Sequence, residues 1–115
     1  MRLTELRAHV LGLPAVTADI KWQDDWVASI GERMFFAAGP EPDWRAVSFK
    51  VDEHRFLELT GLPGILPAPY LARAKWVQVR DAAALPPDEL KSLVTRSHAL
   101  VAARLTKRRR QELGL

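Results

Sequence analysis

The sequence predicts a two-layer α+β domain, in which an antiparallel sheet of four to five strands carries helices on one face. Short segments rich in valine, isoleucine, phenylalanine and tryptophan follow one another closely between residues 16 and 51, which favours antiparallel hairpins. Val47, Phe49 and Val51 alternate with Ser48 and Lys50, the pattern of a sheet with one buried face. Helical periodicity appears before these segments, after them, and again near the C-terminus. Helices on one face of an antiparallel sheet satisfy all three observations.

Size and composition predict a single domain spanning residues 1–115, because 48% hydrophobic content is enough for one core. The chain contains no cysteine, which excludes disulfides and cysteine metal ligands. No apolar run approaches the roughly 18–20 residues that cross a bilayer. The N-terminus lacks a hydrophobic signal core. We therefore expect a cytoplasmic protein with no membrane partner.

The first predicted helix is amphipathic. Leu3, Leu6, Val10 and Leu13 fall on one side at spacings of three and four residues, and Gly12 ends the helix. A weak strand is predicted over 16–21. This helix is expected to cover one face of the strands that follow it.

The central strands are predicted from turn signals between apolar runs. Residues 26–30 and 33–38 form a hairpin around a tight turn at 31–32, and residues 45–51 form the next strand. A helix then follows, with Asp52 as its N-cap and Gly61 as a left-handed exit.

The segment from Gly61 to Val79 organises the rest of the chain. Pro63, Pro67 and Pro69 make an uninterrupted helix or a central strand unfavourable over 62–69, so an extended connector is predicted. The last strand is expected over 75–80. A final helix then begins at the prolines 86 and 87, continues through the basic run and frays near residue 114.

Charge is distributed unevenly. Residues 1–66 carry a net charge of −3 and residues 67–115 a net charge of +6, much of it in the run 107–110. A basic half is typical of contact with nucleic acid or another anionic surface. The alternative is a solvated helix end whose cations interact favourably with the helix dipole.

No catalytic or metal-binding pattern is present. The sequence has no nucleophile elbow, no phosphate-cradling glycine loop and no dinucleotide fingerprint. His9, His54 and His98 lack a second ligand at zinc spacing. We therefore expect a protein that is not an enzyme and that uses no metal or cofactor.

The candidate binding residues are cations and aromatics. An aromatic ring near cations is able to stack on a base while the cations neutralise phosphate. The alternative for Trp76 is that it anchors the connector to the sheet. Tyr70 is the stacking candidate in a surface loop, and Arg33 lies at the tip of a hairpin that is expected to act as a wing. The predicted phosphate contacts are Arg33, Lys50, Arg73, Lys75, Arg96, Arg104, Lys107, Arg108, Arg109 and Arg110.

The chain resembles the MmcQ/YjbR family of small bacterial proteins, which are described as predicted DNA-binding proteins. The matching segments include 31–35, 47–52, 67–77 and 97–101. The resemblance implies a compact domain similar to the frataxin (CyaY-like) fold, with a hairpin-based double-wing surface for DNA. Glu32-Arg33 stands where many relatives have Gly-Lys, and the Tyr-His-Leu-Asn run of many relatives is replaced by residues 70–73.

Two functions from different classes remain open. The first is a DNA-binding protein that contacts the phosphate backbone through a basic surface and a hairpin wing. The second is a protein-interaction or small-ligand-binding domain that uses the proline-rich loop 61–73 and has no role with nucleic acid. Iron handling, as in frataxin, is disfavoured because Glu5 is the only acid of the first helix.

Overall fold

The computed structural model describes residues 2–115. The helices and strands are α1 (Leu3–Leu11), β1 (Val16–Lys21), β2 (Asp25–Ile30), β3 (Arg33–Gly39), β4 (Ala46–Lys50), α2 (Glu53–Thr60), β5 (Ile65–Pro67), β6 (Trp76–Val79), α3 (Pro87–Ala102) and α4 (Lys107–Glu112). All neighbouring strands are antiparallel, in the order β1-β2-β3-β4-β6-β5. The predicted α+β class and antiparallel sheet are confirmed.

The sheet has six strands, so the predicted number of four to five was wrong. The additional strand is β5, which pairs only with β6 at the sheet edge. Pro67 is tolerated there because an edge strand has a side on which no amide donor is required. The proline-rich connector therefore contributes a short strand, although its prolines exclude a central one.

The core lies between one face of the sheet and helices α1, α2 and α3. Phe36, Phe49 and Val77 stand opposite one another across β3, β4 and β6, and all three are buried. Val10 of α1 and Leu59 of α2 pack in the same cluster. The predicted alternation in β4 is confirmed, since its apolar residues face these helices.

The Ser97 hydroxyl forms hydrogen bonds to β3 and β4 next to a β-bulge in the sheet. The β2–β3 register shifts between Ala28 and Ser29, and this bulge leaves Phe35 outside the ladder. The fully buried Ser97 of α3 donates to the carbonyl oxygen of Phe35 at 2.7 Å and accepts from the amide of Lys50 at 3.0 Å. Ser97 thus joins β3 to β4 where the strands do not bond directly.

The C-terminal helix is divided, contrary to the prediction of one continuous helix. Helix α3 ends at Ala102, and Thr106 caps a separate α4 by accepting a hydrogen bond from the amide of Arg109. Leu105 is buried between the two helices and lies against Gly31 in the β2–β3 turn. Burial of this leucine and capping by the threonine account for the break.

Two predicted helix ends also differ. Gly61 has φ −81°, in the right-handed region, so the predicted left-handed exit was wrong. Asp52 has the extended backbone of an N-cap, but its carboxylate makes no capping bond and binds Arg96 instead. Within residues 2–115, no helix is both long enough and apolar enough to cross a membrane.

Candidate nucleic-acid interface

The antiparallel order brings most of the predicted cations to one end of the sheet. The β2–β3 turn, the last residue of β4 and the first residue of β6 lie side by side there, with Lys50 opposite Trp76. The segment between α3 and α4 packs against the same end through Leu105. We define the basic end by its cations, Arg33, Lys50, Arg73, Lys75, Arg104, Lys107, Arg108, Arg109 and Arg110.

Four of these cations line one cavity of about 300 Å³: Lys50, Arg73, Lys75 and Arg104. Two acidic residues, Asp52 and Glu53, line it as well. The four cations come from β4, the loop before β6 and the segment after α3, so they converge only in the folded chain. The Lys50 ammonium donates to the carbonyl oxygen of Ala74, which holds it at the cavity wall. The Lys75 ammonium lies 5.1 Å from the centre of a phenylalanine ring of α2.

Four cations against two carboxylates give this cavity an excess of positive charge. Partial burial lowers the pKa of Lys50 from its ordinary value of 10.5, and the nearby charges of Arg104 and Lys75 lower that pKa further. Both causes disfavour the charged form of Lys50. An anion bound beside Lys50 would offset the charges of Arg104 and Lys75 and so favour the charged form of Lys50.

Two predicted contacts are already used inside the fold. Arg96 donates two hydrogen bonds of 2.9 Å to Asp52, and this pairing holds the pKa of the Asp52 carboxyl below its ordinary value. Arg109 is paired with Glu32 at 2.7 Å and lies 3.8 Å from Glu112. These two arginines are therefore less available to an external phosphate than the other predicted cations.

The remaining eight predicted cations have no ion-pair partner among residues 2–115. This property separates them from arginines that hold the fold together, and it does not follow from sequence position. They are Arg33, Lys50, Arg73, Lys75, Arg104, Lys107, Arg108 and Arg110.

The two predicted aromatics have different surroundings. Trp76 is 4% exposed, so its ring anchors the end of the connector and is not available for stacking on a base. Tyr70 is fully exposed and has φ 65°. The structure therefore favours the packing role for Trp76 and leaves Tyr70 as a stacking candidate.

Sequence reasoning did not select Trp22. This residue is 62% exposed in the β1–β2 turn, whereas the other three tryptophans are buried. It faces the side of the sheet that has no helices and lines a cavity there together with Tyr70. Its position next to a turn was the only sequence signal that pointed to exposure.

Two of the three histidines, His9 and His98, make hydrogen bonds within the fold. The Nε2–H of His98 donates to the carbonyl oxygen of Pro14 at 2.7 Å. The Nε2 of His9 lies 2.8 Å from the hydroxyl of Thr95 and joins α1 to α3. Over residues 2–115, no cluster of three or more histidine or acidic side chains is arranged to hold a metal ion.

Comparison with known proteins gives a family. A family model named YjbR matches residues 11–100. The fold is similar to a crystal structure of the Deinococcus radiodurans protein DR2400, a DUF419 domain, with a TM-score of 0.87, 30% identity, and coverage of 98% of this chain and 88% of that one.

A protein from Pseudomonas syringae has the same fold, with a TM-score of 0.69 at 21% identity over 87% of this chain and 98% of that one. No curated protein matches the sequence. The resemblance seen in the hairpin, the connector and the Ser97-His98 segment is therefore confirmed by an independent match over most of the chain. The chain belongs to the YjbR family.

Proposed function

We propose that the protein is a non-enzymatic DNA-binding protein that contacts the phosphate backbone through the basic end. The observation that carries this proposal is a group of eight cations at one end of the sheet that have no ion-pair partner within residues 2–115, four of which line one cavity. Phosphate neutralisation by such a surface releases counterions and gives affinity without sequence preference. The proposal includes a cytoplasmic location.

The β2–β3 turn is the proposed wing. Gly31 packs beneath Leu105 and Leu113, so the turn is held against the C-terminal segment and Arg33 projects from a fixed support. A fixed projection loses little conformational entropy on binding. The double-wing and CyaY-like descriptions belong to this proposal, as expectations derived from the family resemblance.

Titration of a labelled DNA duplex, followed by fluorescence anisotropy at several salt concentrations, tests the proposal. The informative variant combines Arg73→Ala, Lys75→Ala and Arg104→Ala, which removes three cations of one cavity. We expect affinity to fall by about tenfold or more. The slope of log K against log salt should become shallower by about 0.9 for each phosphate that the variant no longer neutralises.

The matched control removes three exposed cations from the opposite end of the sheet, Arg2, Lys21 and Arg45. Its net charge equals that of the cavity variant, so a general charge effect would lower both affinities equally. Equal losses, or no duplex binding by the wild-type protein at low salt, would rule out the proposed interface.

Substitution is a better test than deletion of residues 107–115. Leu113 packs against Gly31, so the deletion would expose the β2–β3 turn as well as remove charge. The double variant Lys107→Gln and Arg108→Gln removes charge alone, because both side chains are exposed. We expect it to weaken duplex binding without lowering thermal stability.

A further inference from the structure

The face of the sheet that carries no helices contains a trough of about 520 Å³. Its floor includes Ser48 and Gln78, which stand opposite each other on β4 and β6. Trp22 and Tyr70 stand on its walls, together with Met34. The volume lies within the usual range for sites that hold a small organic group.

Two polar side chains of the trough, Asp25 and Gln78, can bind a ligand. A Cβ atom at residue 39 would collide with the Asp25 carboxylate, so Gly39 is what allows this carboxylate to lie across β3 into the trough. The Nε–H of Arg80 donates to the Gln78 side-chain oxygen at 2.8 Å, which leaves the Gln78 amino group as a donor. The trough therefore offers an acceptor, the Asp25 carboxylate, and a donor, the Gln78 amino group.

The walls present two aromatic side chains on unusual backbone. Trp22 has φ 50° and Tyr70 has φ 65°, a region that bulky residues rarely adopt. Both rings remain exposed despite their apolar area. Strained backbone that holds an aromatic ring in solvent is typical of ligand-contacting positions.

The trough lies beside the basic end. Met34 follows Arg33 directly, and the loop that carries Tyr70 continues into Arg73 and Lys75 of the cationic cavity. An anionic chain bound to those cations would therefore have its next groups over the trough. An apolar side chain over the trough would leave the Asp25 carboxylate without a donor.

We propose that the trough binds an unpaired base of a DNA single strand. The base stacks against Tyr70 and Trp22, the Asp25 carboxylate accepts from its ring or amino N–H groups, and Gln78 donates to a ring acceptor. The phosphates on either side lie toward Arg33 and Arg73. This inference rests on the proposed function for its backbone contacts, and base binding in the trough has its own test.

Trp22 supplies the readout. The other three tryptophans are 4–7% exposed, so quenching by an added base reports mainly on Trp22. Titration with single-stranded dC and dA 12-mers is expected to quench the fluorescence in a saturable way. In the Trp22→Phe variant the quenching should disappear, while anisotropy with labelled strands still shows binding because phenylalanine also stacks.

Tyr70→Ala is expected to weaken single-strand binding by about tenfold, because it removes one stacking partner. Asp25→Asn, which keeps the shape but not the charge, is expected to weaken it by about fivefold, because hydrogen bonds to a charged group are the stronger kind. The matched control is Leu57→Ala, which removes a large apolar side chain that is 81% exposed on α2. Circular dichroism of each variant establishes that it is folded.

The outcomes separate this inference from the proposed function. Tyr70→Ala should leave duplex affinity unchanged, since the stack in a duplex is closed to the trough. If duplex binding is absent but single-strand quenching is saturable and depends on Tyr70, the trough assignment holds and the duplex proposal fails. If single-strand affinity is indifferent to both Tyr70→Ala and Trp22→Ala, the trough assignment is wrong. Equal affinity for free nucleosides and for strands would overturn the assignment to a strand.

Discussion

The two ends of the sheet use charge in opposite ways. At the end where β2 begins, Arg7 lies over two neighbouring indole rings, 5.3 Å from the centre of Trp26 and 4.8 Å from that of Trp44. Its guanidinium also donates to both carboxylate oxygens of Glu41 at 2.9 Å. Here a charged group holds the chain together, and its charge is neutralised within the fold.

At the basic end, most of the structural contacts are made by neutral groups. The Ser97 hydroxyl joins two strands, the His98 imidazole binds a backbone carbonyl, and Leu105 and Leu113 pack on Gly31. The cations of this end are therefore mostly not needed for stability. The difference predicts that stability and anion binding can be altered separately.

Ser97→Ala is the strongest test of the claim that neutral groups stabilise the basic end. It leaves the buried amide of Lys50 and the carbonyl of Phe35 without a partner, and we expect a loss of about 2–4 kcal/mol in the free energy of unfolding. Urea denaturation measures this loss. Ser92→Ala, an exposed change on the same helix, should stay within about 0.5 kcal/mol. Equal effects of the two variants would contradict the strand-joining role.

Gly31→Ala tests the apolar support of the wing. Residue 31 has φ 54°, and a Cβ there would lie 3.0 Å from a methyl group of Leu105. We expect a loss of about 1–3 kcal/mol, from the left-handed backbone and from displacement of the C-terminal segment. Gly114→Ala is the matched control, because residue 114 has φ 76° with no atom nearby. Thermal unfolding measures the stability of both variants. The additional loss in Gly31→Ala over Gly114→Ala is the part that comes from packing against Leu105.

Arg7→Ala tests the charged support at the opposite end. The loss of a paired carboxylate and of two indole contacts should lower the free energy of unfolding by about 1–2 kcal/mol, since the site is partly open to solvent. Arg108→Ala, at the basic end, should change stability by less than about 0.5 kcal/mol. Affinity for a DNA duplex should show the opposite pattern: Arg108→Ala should lower it, and Arg7→Ala should leave it nearly unchanged. If both variants altered stability and DNA affinity in parallel, the two ends would not differ as described.

The sequence predicts what depends on local pattern. The alternation of Val47, Phe49 and Val51 is enough to identify the buried face of β4, because side chains alternate across a strand. Strand β5 was missed because three residues that end in proline carry no periodicity. The break before α4 was missed because it depends on Leu105 finding a site on Gly31, 74 positions earlier in the chain.

In the candidate site, too, the sequence predicts local features but not those that depend on distant residues. Basic composition predicts which residues carry charge, but the residues that accept hydrogen bonds from Arg96 and Arg109 lie far away in sequence, so these hydrogen bonds were not predictable. The exposure of Trp22 depends on a left-handed turn that its residue type does not favour. The position of the Asp25 carboxylate over Gly39 depends on strand register, which cannot be predicted from composition.

The smallest expected effect concerns Arg96, a predicted phosphate contact that is paired within the fold, as Arg7 is at the opposite end. Its hydrogen bonds lower the pKa of Asp52, so the ionised carboxylate stabilises the fold above the ordinary pKa of 3.8, and this contribution is lost as pH falls through the lowered pKa. Arg96→Gln should return the Asp52 carboxyl to its ordinary range in an NMR titration, with a small loss of stability at neutral pH that disappears in acid.

The same variant should leave duplex affinity almost unchanged, whereas Arg104→Gln, further along the chain at the cationic cavity, should weaken it. An equal loss of affinity from both changes would show that a guanidinium paired within the fold still serves the DNA. The ion-pair state of a cation would then not decide its function, and the contrast between the two ends of the sheet would reduce to net charge alone.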